Sequence, residues 1–164
     1  MDADMQVALG GTFDPVHDGH RALFDRAFEL GDVTVGLTSD DLAAETRKVP
    51  RRVRPFADRR ADVDAELASL AADHDRTYEI RRLDEPTGIA TEAGFDAIVV
   101  SPETRAGAER INEIREANGL APLRIDVVDH VSAEDGKRIS STRIVHGEID
   151  RHGNLTPERT PETD

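Results

Sequence analysis

Apolar positions along the chain follow two alternating rhythms. Short runs rich in β-branched residues, Val7–Leu9, Val33–Leu37, Tyr78–Leu83, Ala97–Val100 and Ile125–Val128, predict five strands. Between them apolar residues recur at helical spacing. His20–Leu30 puts Leu23, Phe24, Ala27 and Phe28 on one side, with Gly31 as its stop. Pro55–Ala72 holds Phe56, Val63, Leu67 and Leu70 in register, and Gly107–Asn118 carries Ala108, Ile111, Ile114 and Ala117 before closing at Gly119. A weaker helical pattern spans Thr87–Ala93. Strands alternating with helices imply right-handed crossovers. The fold class is therefore α/β, a doubly wound sheet of about five parallel strands with helices on both faces. Ligands of such sheets bind beyond the carboxyl ends of the strands, where the strand order reverses.

The chain has 164 residues, enough for one core, and the pattern places a single domain at residues 1–149. After Gly147 the sequence turns polar, so residues 150–164 are expected to be a disordered tail. No stretch approaches the ~20 apolar residues of a membrane span, and no signal peptide opens the chain, which predicts a cytoplasmic protein with no membrane partner. Zero cysteines exclude disulfides and thiolate metal sites. Any catalytic metal must then use oxygen or imidazole ligands, with substrate phosphates supplying some of them. The net charge of −13 argues against a nucleic-acid partner. Only Lys48 and Lys137 are lysine, and so acidic and lysine-poor a surface is similar to that of halophilic proteins.

One segment stands apart from this background. Gly10-Gly11-Thr12-Phe13-Asp14-Pro15-Val16-His17-Asp18-Gly19-His20 follows the first strand and leads into the first helix. It reads as a phosphate-binding turn whose glycines admit close approach of an anion. His17 and His20 then fall at a helix N-terminus, where free backbone N–H groups and the helix dipole favour negative charge. Two imidazoles there can stabilise charge that builds on a phosphoryl group. Asp18 reads as the helix cap. Near the other end, Ser140, Ser141 and Thr142 follow Ile139 at a second expected helix start, with Arg143 beside them, and can offer hydroxyls and amides to phosphate. No Ser/His/Asp nucleophile motif occurs, and a phosphate nucleophile needs none.

These residues carry a resemblance. Gly11-Thr12-Phe13-Asp14 with His17-Asp18-Gly19-His20, and about 120 residues later Ile139-Ser140-Ser141-Thr142-Arg143-Ile144, resemble the two signatures of the H-x-G-H nucleotidylyltransferase superfamily, whose fold is Rossmann-like. The stretch Val99-Val100-Ser101-Pro102-Glu103-Thr104 through Gly107, Ile111-Asn112 and Arg115 is similar to that of archaeal phosphopantetheine adenylyltransferases and of the matching domain of eukaryotic coenzyme A synthase. The resemblance implies transfer of AMP from ATP to 4′-phosphopantetheine, with Mg²⁺ as cofactor, giving dephospho-coenzyme A and pyrophosphate by direct in-line attack. It implies His17, His20 and Lys48 as catalytic groups. Gly11, Thr12, Phe13, Gly19, Arg105, Glu109, Ser140, Ser141, Thr142 and Arg143 would bind ATP, and Gly10, Thr12 and Lys48 the acceptor. No residue is assigned as a metal ligand, and the oligomeric state stays open. Alternatives are a sister enzyme with another acceptor (FMN or nicotinamide mononucleotide adenylyltransferase, or a cytidylyltransferase) and a nucleotide sensor without catalysis. One position departs from the superfamily pattern: Val145 stands where many members carry Arg, three residues after the threonine. Either Arg143 substitutes for it, or the triphosphate is held less tightly from that side.

Overall fold

The computed structural model describes residues 5–14, 16–46, 53–85, 88–129 and 131–155, with only the backbone at 44–46 and 142. Five parallel strands, β1 (Met5–Gly11), β2 (Gly31–Thr38), β3 (Tyr78–Leu83), β4 (Ala97–Val100) and β5 (Arg124–Val127), form one sheet in the order β3-β2-β1-β4-β5. The chain winds outward from β1 to β3, then crosses back to β4 and β5. The order therefore reverses between β1 and β4. There the carboxyl ends of two neighbouring strands part company and leave room for a ligand.

Alternation along the strands sorts the core into two layers. Val7, Leu9, Val33, Val35, Ala97 and Val99 face α1 (Asp18–Leu30) and α3 (Phe56–His74), whose Phe24, Ala27, Phe28, Val63 and Leu67 are buried against them. Ala8, Ile98 and Val100 point the other way, onto Ala108 and Ile111 of α4 (Arg105–Ala117). Both faces are covered, as the near-continuous apolar strands predicted. A short helix, α5 (Ser141–Val145), follows a hairpin closed by the antiparallel bridge between Ser132 and Arg138. Ala133, Ile139 and Ile149 make a small core of their own there.

Several expectations change. A helix not foreseen, α2 (Asp40–Thr46), follows β2; the Ser39 hydroxyl caps it by accepting from the Leu42 amide at 3.1 Å, and Asp40 and Asp41 sit in its first turn. The helix expected over Thr87–Ala93 is absent among the described residues 88–93, which instead make successive turns that bury Ile89 and Ala90. Those turns are braced by the buried Arg115, whose guanidinium donates to the carbonyls of Ala90, Glu92 and Ala121 at 2.7–2.9 Å. Asn112 exchanges two hydrogen bonds with the Leu123 backbone, so the paired Asn and Arg of this segment are scaffold.

Residues 150–155 are not part of a loose tail. Ile149 bridges Leu155, the Glu134 amide donates to the Gly153 carbonyl at 2.7 Å, and Arg151 pairs with Glu66 of α3 at 2.6 Å. The polar composition here reflects hydrogen-bonded turns. Residues 156–164 lie outside the described set.

Gly31 does more than stop α1. It already belongs to β2 in an extended conformation, and a Cβ placed on it would sit 2.0 Å from the Met5 carbonyl oxygen. Close approach of β1 and β2 therefore excludes any side chain. Gly31→Ala is expected to destabilise the fold by at least about 2 kcal/mol, because backbone must move to admit the methyl group. Urea unfolding of the variant beside the parent protein measures this directly.

Candidate active site

A cleft of about 960 Å³ opens at the carboxyl ends of β1, β2 and β4. Gly10, Gly11, Gly36, Thr38, Val99 and Val100 supply its floor, and α1, α4 and the 131–141 segment supply its walls. The sequence placed a turn at Gly10-Gly11, yet both glycines finish β1, paired with Gly36 and Leu37. The chain leaves the sheet at Thr12. Phe13 makes the bend, with φ of 53°, a left-handed conformation unusual for a bulky residue. Its buried ring lies edge-on to His20, with centroids 4.7 Å apart.

A buried arginine holds this bend in place. Arg59, fully enclosed on α3, donates to the Thr12 carbonyl at 3.2 Å, the Thr38 hydroxyl at 3.3 Å, the Arg54 carbonyl at 2.8 Å and Asp40 at 2.8 Å. One guanidinium thereby joins the β1 exit, the β2 exit, α2 and the start of α3. The Thr12 and Thr38 hydroxyls meet at 2.9 Å on the cleft floor. Asp14, also buried, accepts from the Arg54 amide at 3.0 Å and from its guanidinium at 2.6 Å.

His17 and His20 cap α1 together. His17 is the N-cap residue; the Gly19 amide donates to its Nδ1 at 3.0 Å, while the His17 amide donates to Nδ1 of His20 at 3.3 Å. The rings stack with centroids 3.8 Å apart. Gly19 is needed for this arrangement, since a Cβ there would lie 2.9 Å from the His17 ring, and it also lines the cleft. Asp18, expected as the cap, is the first helical residue and meets the His152 ring at 3.0 Å. The helix amides expected to be free are engaged as well: that of Asp18 by the Arg151 carbonyl at 3.0 Å and that of Gly19 by His17.

This capping decides the tautomers. With Nδ1 of each ring accepting a backbone proton, the ring's own proton sits on Nε2. Burial lowers the proton affinity of both. His17 falls to about 4, the effect of burial outweighing the nearby Asp18 and reinforced by Arg138 and Arg151. His20 falls well below the ordinary histidine value through burial and then the neighbouring His17. Two neutral imidazoles, each with an Nε2–H donor, therefore line the cleft.

Other sequence candidates divide. Ser140 and Ser141 line the same cleft, and the Ser140 hydroxyl also accepts from the Arg143 amide at 3.2 Å. The Thr142 side chain and Lys48 lie outside the described residues. Arg105 and Glu109 pair with each other at 3.4 Å on the exposed side of α4 and do not line the cleft. Glu103, Thr104, Gly107 and Arg110 do. Arg143 is also turned away, held by Asp135 at 2.5 Å and Glu148 at 3.0 Å. Arg138, unremarked in the sequence, lines the cleft and forms an ion pair with Glu103. Its signal was faint, one arginine among many, although it stands directly before the Ile139-Ser140-Ser141 motif.

Comparison with known proteins shows the family to which this fold belongs. The chain matches the cytidylyltransferase-like family over residues 8–147. It is 45% identical over 156 residues to the phosphopantetheine adenylyltransferase of Methanosarcina acetivorans, covering 93% of this chain and 97% of that protein. To the enzyme of that name from Archaeoglobus fulgidus it is 45% identical, over 92% of this chain and 99% of the relative. The chain belongs to the phosphopantetheine adenylyltransferase family. A solved structure of a protein of unknown function from Archaeoglobus fulgidus superposes with a TM-score of 0.66 at 40% identity, covering 76% of this chain and 90% of that one. The fold extends further, to a nicotinate-nucleotide adenylyltransferase homologue from Vibrio parahaemolyticus, at a TM-score of 0.52 and 14% identity over 91% of this chain and 83% of that one. Within this adenylyltransferase family fold, no helix among the described residues is long and apolar enough to cross a membrane.

The histidine pair makes a pH prediction. Between 6.5 and about 4 the unfolded chain takes up a proton at residue 17 that the folded site refuses. That contribution to stability is therefore complete above pH 6.5 and lost as pH falls through the window. The His17 ring signals are expected to titrate near 4 in an NMR titration of the folded protein. A midpoint near 6.5 would show an exposed ring.

Proposed function

We propose that this chain is a phosphopantetheine adenylyltransferase that transfers AMP from ATP to 4′-phosphopantetheine, yielding dephospho-coenzyme A and pyrophosphate. The observation that carries the chemistry is the stacked pair of Nε2–H donors of His17 and His20, facing the cleft that Ser140 and Ser141 also line. Near-full-length identity to enzymes of this name supports the choice of acceptor over FMN, nicotinamide mononucleotide or a cytidylyl acceptor.

A phosphate oxygen of the acceptor attacks the α-phosphorus of ATP, and the bond from that phosphorus to the β-bridging oxygen breaks as pyrophosphate leaves. No protein nucleophile takes part. The obstacle is bringing two anions together, so catalysis is positioning and electrostatic stabilisation. Being neutral near pH 7, His17 and His20 act as hydrogen-bond donors to the α-phosphoryl oxygens, bonds that strengthen as those oxygens gain charge. The Thr12 and Thr38 hydroxyls sit on the floor nearby. Mg²⁺ bound to the triphosphate would offset its charge and that of the leaving pyrophosphate. The apolar end of the cleft, between Leu42, Leu83 and Ile89, suits an uncharged portion of a substrate. Loss of catalysis with retained binding is disfavoured by the paired donors, which a sensor would not need.

Pyrophosphate release from ATP, Mg²⁺ and 4′-phosphopantetheine, set against a panel of other phosphorylated acceptors, tests the assignment. Release with FMN or nicotinamide mononucleotide in its place would overturn it. In the same assay His20→Ala is expected to lower kcat about a hundredfold while changing ATP affinity little. Lys48→Ala is expected to raise KM for the acceptor with little change for ATP; unchanged kinetics would remove Lys48 from the site.

A further inference from the structure

The segment that ends in α5 lacks a cation where the superfamily pattern has one: Val145 is half-exposed to solvent and outside the cleft. Nor does Arg143 replace it, since its guanidinium is fully occupied with Asp135, Glu148 and the Arg138 carbonyl, which it meets at 3.0 Å. Those contacts do something else: they pin the backbone from which Arg138 projects. Arg138 is the arginine of this segment that lines the cleft, two residues before Ser140. It also lies close enough to His17 to depress that ring's proton affinity. Its partner Glu103 also lines the cleft, from the turn that precedes α4. A carboxylate there would repel a triphosphate unless a cation were beside it.

We infer that Arg138 is the triphosphate-gripping cation of this enzyme, resting on Glu103 in the empty cleft and transferring its guanidinium to the β- and γ-phosphates when ATP binds. This rests on the adenylyl-transfer reading. The exchange is chemically favourable in direction, because a planar guanidinium binds a phosphate bidentately as it binds a carboxylate, and the triphosphate carries more charge. The ion pair is about half-exposed on both sides, so breaking it costs little. Glu103 thereby opposes ATP binding, and Arg138 supports it through the phosphates alone.

Calorimetric titration with Mg²⁺ and α,β-methylene ATP, which cannot transfer its adenylyl group, separates these roles, with AMP as the control lacking β- and γ-phosphates. Arg138→Ala is expected to weaken the analogue about tenfold or more and leave AMP affinity unchanged. Arg138→Lys should restore part of the loss, as a point charge without the fork. Glu103→Gln should tighten the analogue several-fold without affecting AMP. Unchanged analogue binding by Arg138→Ala would overturn the inference, as would equal losses for AMP and the analogue. If the parent protein binds the analogue yet releases no pyrophosphate with 4′-phosphopantetheine, the functional reading fails while these ratios still decide the role of Arg138. Failure of the parent protein to bind the analogue at all would overturn both.

Discussion

The mutual capping of α1 by His17 and His20 is the constraint around which the cleft is organised. A helix start must satisfy amides that have no partner within the helix. Here the acceptors are the Nδ1 atoms of two imidazoles, so a structural need of the helix and the protonation state of the site become the same thing. Stacking at 3.8 Å aligns the rings and would set two positive charges against each other if both were protonated. The arrangement thus selects neutral donors over cations. Such donors carry no net charge in the resting site.

Two buried arginines give the surrounding loops their shape. Arg59 gathers the exits of β1 and β2 with α2 and the start of α3, and Arg115 gathers the 88–95 turns with the link from α4 to β5. Both act mainly on backbone carbonyls, which are numerous where chain leaves a sheet. A guanidinium with five donors can satisfy several of them from one position. The loops lining the cleft are therefore held by fixed polar contacts, while the sheet beneath them is held by apolar packing.

Much of this architecture was legible in the sequence. Strand positions were recovered to within a few residues because both faces of the sheet are buried, which leaves dense β-branched runs. The long helices showed through their apolar stripes. Helix α2 escaped because its few apolar residues make too short a stripe, although Ser39 followed by Asp40 and Asp41 was a usable capping signal. The 88–93 segment misled for the opposite reason: Ile89 and Ala90 are buried as loop residues facing a cleft, without a helix between them. Of the candidate site, the motif residues on β1 and α1 converged as expected, with His17 and His20 in contact. Arg105 and Glu109 did not, because spacing locates a motif along the chain but leaves open which side of a helix meets the ligand. The turn of 3₁₀ helix at Pro102–Thr104 precedes α4, and it is Glu103, Thr104 and Arg110 that face inward. Arg138 was hidden by composition, since one arginine carries little information in an arginine-rich chain.

The hydrogen bond from the Asp18 amide to the Arg151 carbonyl, 3.0 Å long, joins the opening of the first helix to the last turns of the described chain. During synthesis, the amino-terminal half emerges from the ribosome well before residue 151 exists. A nascent chain can lay down β1, β2 and their crossover helix early, but the histidine-bearing end of that helix lacks one of its acceptors until residue 151 has been made. Closure of the histidine-bearing corner thus waits on a segment far downstream of it, and a product cut short of residue 151 would retain most of the apolar layers while leaving that corner unsealed.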